Sequence, residues 1–234
     1  MNKFEVNHRT AKVPEMYKRA SYYGEPPAEF NVTYTPIKSG VFNIYLLGDI
    51  EEPTQFINAI EVMATATELD TVNIHLSSNG GSLDAADTFL ASMSRCEAKV
   101  VAFVSGGCHS AATIILLNVD EFSLSEGANF LIHNGSAGSG GKFSDFVAQS
   151  KHTIDYMNRV MRKTYRHFLS EQELDQLIDG KDFWMDAEEF STRYELRNAL
   201  MMEEYEKAEA ALNEAIAELP APKKAKKQPA KLEN

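Results

Sequence analysis

The sequence predicts an α/β layered fold, and three observations carry that expectation. Strand-like and helix-like segments alternate from Phe42 onward, two strand-to-helix junctions are glycine-rich ("SSNGGS" and "SGGCHSAAT"), and 44% of the 234 residues are hydrophobic. That content supports one large core with appendages, not a second complete domain.

Residues 1 to 28 mix polar and aromatic side chains and lead into "GEPPAEF", whose Gly and paired Pro mark a boundary, so 1–41 is expected to form an N-terminal arm. "VFNIYLLG" then reads as a strand, and "PTQFINAIEVMATATEL" as a helix with Phe56, Ile60, Met63 and Ala64 on one face. "TVNIHLSS" is the next strand. After "NGGS" a helix opens at Ser82, with Leu83, Ala86, Phe89, Leu90 and Met93 along one side. The strand "AKVVAFVS" and the helix "SAATIILL" follow, then two short strands, "EFSLS" and "NFLIH", ahead of the glycine-rich "NGSAGSGG".

Beyond that segment the texture changes. A long helix is expected from about Ser144 to His167, with Phe146, Met157, Val160, Met161 and Tyr165 on a broken apolar side. "SEQELDQLID" has the serine-then-acid pattern of a capped helix start, and "FWMDAEEFSTRYEL" closes a body spanning 42–196. Residues 197–219 form an acidic helix with Tyr205, Ala208, Leu212, Ala215 and Leu219 at roughly heptad spacing. The run is short for a coiled coil and reads better as a solvated surface helix. The Lys-rich tail 220–234 lacks core-forming residues and is expected to be disordered.

A formal charge of −11 argues against a nucleic-acid surface, because phosphate binding needs a concentrated positive face. The two cysteines, Cys96 and Cys108, offer neither a disulfide framework nor a zinc spacing, so no metal and no cofactor are expected. The N-terminus lacks the apolar stretch of a signal peptide and no long apolar run occurs. A cytoplasmic protein without membrane contact is expected.

Ser110 stands where the second glycine-rich junction enters its helix. A serine hydroxyl needs a base to take its proton and donors for the oxyanion that forms when it attacks a carbonyl. The unpaired amides of a helix start can supply those donors, and Ala111 follows at once. Taken alone, Ser110 reads better as a helix cap. Three further features change that reading. "SSNGGS" brings the Gly81 amide to the same carboxyl edge of the sheet; "FLIHN" ends a strand with His133; and "GKDFWMDAEEF" presents Asp182 ahead of two bulky apolar residues.

As a set these motifs resemble the ClpP-type serine peptidases over roughly Phe42 to Leu196. "SSNGG" is similar to that family's Asn-Ser-Pro-Gly-Gly, its nucleophile segment Gly-x-Ala-Ala-Ser-Met-Gly falls on Gly106 to Ala112, and its Met-Ile-His-Gln strand end falls on Leu131 to Asn134. The register of its acid selects Asp182 over Asp186. The resemblance implies a ClpP/crotonase-like fold of stacked ββα units with a protruding long helix. It implies Ser110 as nucleophile, His133 as general base and acid, Asp182 as the group that orients the imidazole, and Gly81 and Ala111 as oxyanion donors. It further implies that Gly135, Ser136, Ala137 and Gly138 pair with an extended polypeptide substrate, and that stacked heptameric rings enclose the serines, with an AAA+ ATPase as a partner.

The chain departs from the family at Asn79, at Cys108-His109 before the serine, and at Ala111-Ala112 after it. His109 is a rival base, and Cys108 a rival nucleophile that no second motif serves. The departing loops and added tail suggest a divergent relative, such as a phage head-maturation peptidase working in a bacterial host cell, rather than a bacterial housekeeping subunit. Two readings compete with a peptidase: a catalytically inactive assembly or scaffold subunit, and an acyl-CoA enzyme of the crotonase type for which Ser110 would be dispensable.

Overall fold

The computed structural model describes residues 9–10, 32–35, 39–136 and 142–217. Among them, eight strands form one mixed sheet: β1 (Arg9–Thr10), β2 (Val32–Thr35), β3 (Val41–Leu47), β4 (Thr71–Ser78), β5 (Lys99–His109), β6 (Glu121–Leu124), β7 (Asn129–Ile132) and β8 (Phe183–Asp186). β3, β4, β5 and β7 run parallel in that spatial order, β6 pairs with the first half of β5, and β2 and β8 pair antiparallel with β3 and β7. Part of the expected N-terminal arm therefore extends the sheet as β1 and β2. Residues 1–8, 11–31 and 36–38 of it, with the boundary at "GEPPAEF", and the Lys-rich tail lie outside the described residues.

Period-two alternation sets the inner face. Ile44, Leu46, Val72, Ile74, Leu76, Val100, Ala102 and Val104 are buried, while their neighbours in the strands are part-exposed or exposed. The connecting helices α1 (Ile57–Thr65), α2 (Leu83–Met93) and α3 (Ala111–Leu116) share this core. A 3-10 turn, Pro53–Phe56, leads into α1, and Phe56 stacks on Phe89 of α2 with ring centres 4.7 Å apart. The buried face of α1 is Ala59, Val62 and Met63, so Ala64, expected inside, is exposed. On the outer face Tyr45, His75 and Phe103 stack in a row across three strands, at 4.7 and 5.4 Å.

α4 (Phe143–Thr164) is the long helix, buried at Met161 near its end and exposed at Phe146, Val147 and Ile154. α5 (Glu171–Ile178) begins with the expected capping box: Ser170 Oγ accepts from the Glu173 amide, and the Glu173 carboxylate accepts from the Ser170 amide. One helix, α6 (Ala187–Ala217), crosses the expected boundary at 196/197 without a break. Its first half is anchored by Phe190, fully buried and 4.1 Å from the Phe130 ring, and by Arg193 on Glu173. Beyond the contacts of Glu204 with Arg166 and His167, residues 205–216 are exposed, as the surface-helix reading expected. No described helix is long and apolar enough to cross a membrane.

Candidate active site

The glycine-rich junction before Ser110 differs from its sequence reading. "AKVVAFVS" was expected to end as a strand before Gly106, yet β5 continues through Gly106 and Gly107 to His109. The register against β4 jumps from the Leu76–Val104 pair to the Ser78–Cys108 pair, and β5 changes its other partner from β6 to β7 over the same residues. The two glycines form a bulge inside a strand, and a Cβ on Gly106 would sit 2.8 Å from Ser77 Oγ. Ser110 alone makes the turn into α3.

It does so at φ 54°, ψ −127°, a conformation that costs an L-residue about 1–3 kcal/mol. The Ser110 amide donates to the Leu131 carbonyl at 2.8 Å, and its carbonyl accepts from the Thr113 amide at 2.9 Å and from Thr113 Oγ1 at 2.7 Å. The Ser110 side chain makes no cap bond to its helix, which removes the helix-cap explanation for a serine here.

The second glycine turn lies alongside. Gly80 (φ +86°) and Gly81 (φ +142°) connect β4 to α2, and Ile50 brackets Gly81 through two bonds: its amide donates to the Gly80 carbonyl (2.8 Å) and its carbonyl accepts from the Ser82 amide (2.7 Å). A Cβ on Gly81 would overlap the Ile50 carbonyl oxygen. Among the described residues, neither the Gly81 nor the Ala111 amide donates to a backbone carbonyl, so both donors are free for a ligand. Asn79, at the position of the family's proline, donates from Nδ2 to Asp49 Oδ1 at 3.2 Å and steadies the same turn.

His133 follows β7 directly. Ser110, Ala111, Gly81, His133, Gly135 and Ser136 all line one cleft of about 1030 Å³, whose far wall is α4 from Phe146 to Met161. Ala137 and Gly138 lie outside the described residues. Asp182 is exposed, does not line the cleft, and immediately precedes β8. The β7–β8 ladder ends at the Ile132–Phe183 pair, and His133 and Asp182 are the chain neighbours of that last pair. Thus the fold brings Ser110, His133 and Asp182 to one edge of the sheet, while among the described residues no hydrogen bond links the three side chains.

The rivals are placed differently. His109 does not line the cleft; its Nε2–H donates to Asn129 Oδ1 at 2.7 Å, and its ring packs edge-on against Trp184 at 5.4 Å. Cys108 is fully buried, and loss of solvation pushes its thiol far above the ordinary range, so no thiolate is available. The described residues contain no group of three or more His, Cys, Asp or Glu placed to hold a metal ion.

Beside Ser110, Thr113 escaped the sequence reading, and Tyr165 was read only as part of the apolar side of the long helix; both are buried. The available signal was a lone hydroxyl in the third position of an otherwise apolar helix, "AATIILL". Residues 41–202 match the family model described as Clp protease, and no curated protein matches the chain.

Proposed function

This chain belongs to the Clp protease family, a peptidase of the ClpP kind with the ClpP/crotonase-like α/β fold, and on that premise we propose that it is a serine endopeptidase acting on extended polypeptides. In this reading Ser110 Oγ attacks the scissile carbonyl while His133 takes its proton. The Gly81 and Ala111 amides hold the negative oxygen of the tetrahedral intermediate. His133 then passes the proton to the leaving amine, and water, activated by the same imidazole, releases the acyl group from Ser110. Asp182, behind His133, orients the ring and stabilises its charged form.

One observation carries the reading. Ser110 is held at a positive φ with its hydroxyl uncommitted to the helix, beside two free amides and in the cleft that His133 also lines. Positive φ at a non-glycine residue is a conformation retained where the surroundings over-determine it, most often at working sites. The side-chain-poor segment Gly135, Ser136, Ala137, Gly138 suits pairing with a peptide backbone. Stacked heptameric rings and delivery of substrate by an AAA+ ATPase complete the proposal, with assembly drawing the three triad side chains into hydrogen-bond reach.

The lack of a hydrogen bond among those side chains favours one competing reading, a catalytically inactive assembly subunit. A fluorophosphonate probe separates the two. Labelling of the assembled wild type that disappears in Ser110→Ala supports the peptidase; an assembled particle that never labels identifies the inactive subunit.

A further inference from the structure

We propose that Thr113 and Tyr165 are positioning residues for the nucleophile: a buried relay of two hydroxyls, anchored at the end of α4, holds the Ser110 peptide in its left-handed conformation. The proposal rests on the reading of Ser110 as nucleophile. Thr113 Oγ1 lies 2.7 Å from the Ser110 carbonyl oxygen and 2.7 Å from the Tyr165 hydroxyl. The carbonyl can only accept, so the single Thr113 proton points to it, and the Tyr165 hydroxyl must be the donor to Thr113. The direction of the relay is therefore Tyr165 to Thr113 to Ser110.

Burial makes the relay consequential. Thr113 is 0% and Tyr165 1% exposed, so water does not replace a lost partner and the remaining hydroxyl is left unsatisfied. Desolvation pushes the Tyr165 phenol well above its ordinary range, which keeps it a neutral donor at every working pH. Tyr165 caps the C-terminus of α4, with its amide donating to the Met161 carbonyl at 3.0 Å, and it lines the cleft together with Ser110. Any displacement of α4, the far wall of the cleft, is thereby transmitted to the backbone of the reactive serine. Thr113 acts through the peptide and not on substrate, so its loss should slow acylation without weakening binding.

The test compares Thr113→Val, Tyr165→Phe and Thr113→Ser in the assembled protein, each first shown to be folded by its thermal transition. Fluorophosphonate labelling is followed against probe concentration to separate the maximal rate from the half-saturating concentration. The maximal rate is expected to fall about tenfold in Thr113→Val and Tyr165→Phe, with half-saturation unchanged and the rate restored in Thr113→Ser. Wild-type rates in both folded variants overturn the relay. If Thr113→Val does not fold, Tyr165→Phe alone decides. A second readout is independent of reactivity: in a crystal structure of Tyr165→Phe, the relay predicts that Ser110 leaves φ near 54° or becomes heterogeneous, and an unchanged Ser110 contradicts it. A wild type that the probe does not label counts against the peptidase, and the crystal structure then decides the relay.

Discussion

Gly80 and Ser110 approach so closely that a Cβ on residue 80 would lie 2.7 Å from the Ser110 Cβ and 2.8 Å from the Ala111 nitrogen. Two turns from adjacent parallel strands are pressed together at the point where, on the proposed reading, a substrate carbonyl enters. Gly80→Ala would place a methyl group against the Ala111 donor and force an L-side chain to φ +86°. We expect loss of fluorophosphonate labelling and destabilisation of about 1–3 kcal/mol. Gly127→Ala, whose Cβ meets open space, should leave both unchanged.

The imidazoles of His109 and His133 make separable predictions. His133→Ala should reduce peptide hydrolysis by about a hundredfold or more, the usual contribution of a general base. His109→Ala should keep hydrolysis, because that ring is committed to Asn129 and Trp184 outside the cleft. Steady-state rates of the two variants on one fluorogenic peptide check this, and the reverse order would make His109 the base.

Cys108 should be chemically silent. In the folded protein a thiol reagent is expected to modify the partly exposed Cys96 and spare Cys108 until unfolding, as read by mass spectrometry of quenched samples. Cys108→Ala should retain serine labelling while losing about 1 kcal/mol of stability to the space left in the core. Labelling that vanished with the thiol would revive Cys108 as nucleophile.

Acid sensitivity should come in part from the Glu173–Arg193 pair. Arg193 donates from both terminal guanidinium nitrogens, Nη1 to Oε2 at 3.1 Å and Nη2 to Oε1 at 2.9 Å, and this holds the Glu173 carboxyl down to about 2, with the Ser170 bonds adding to the effect and burial opposing it. A carboxylate depressed on folding stabilises the fold above its unfolded value and loses that contribution as pH falls. The loss should occur between about pH 4.5 and 2, and Glu173→Gln should flatten that segment of a plot of urea midpoint against pH. An unchanged slope in the variant would show the pair to be energetically idle.

Much of this was legible in the chain. Period-two alternation in "TVNIHLSS" and the apolar stripe of "LDAADTFLASM" are local consequences of pleat and helix geometry, and β4 and α2 follow them. The capping box at Ser170 needs only residues three apart. The order of Ser110, His133 and Asp182 along the chain led to residues that stand at one edge of the sheet. Misreadings fell where a distant partner overrides local signal. Gly106 and Gly107 read as a turn because glycine is the usual breaker, but pairing with β4 on one side and β7 on the other holds them in a strand. α6 runs on through residues 196 and 197, with Arg197 reaching the Leu117 carbonyl and Glu204 reaching Arg166.

Residue types and their spacing establish which elements form and which face each one hides, since propensity, capping and amphipathic period act over a few neighbouring residues. Two features belong to the folded molecule alone: the positive φ of Ser110 and the meeting of the Tyr165 and Thr113 hydroxyls. Both depend on groups remote in the chain meeting, with Thr113 and Tyr165 in a dry interior where an unmet hydrogen bond is costly.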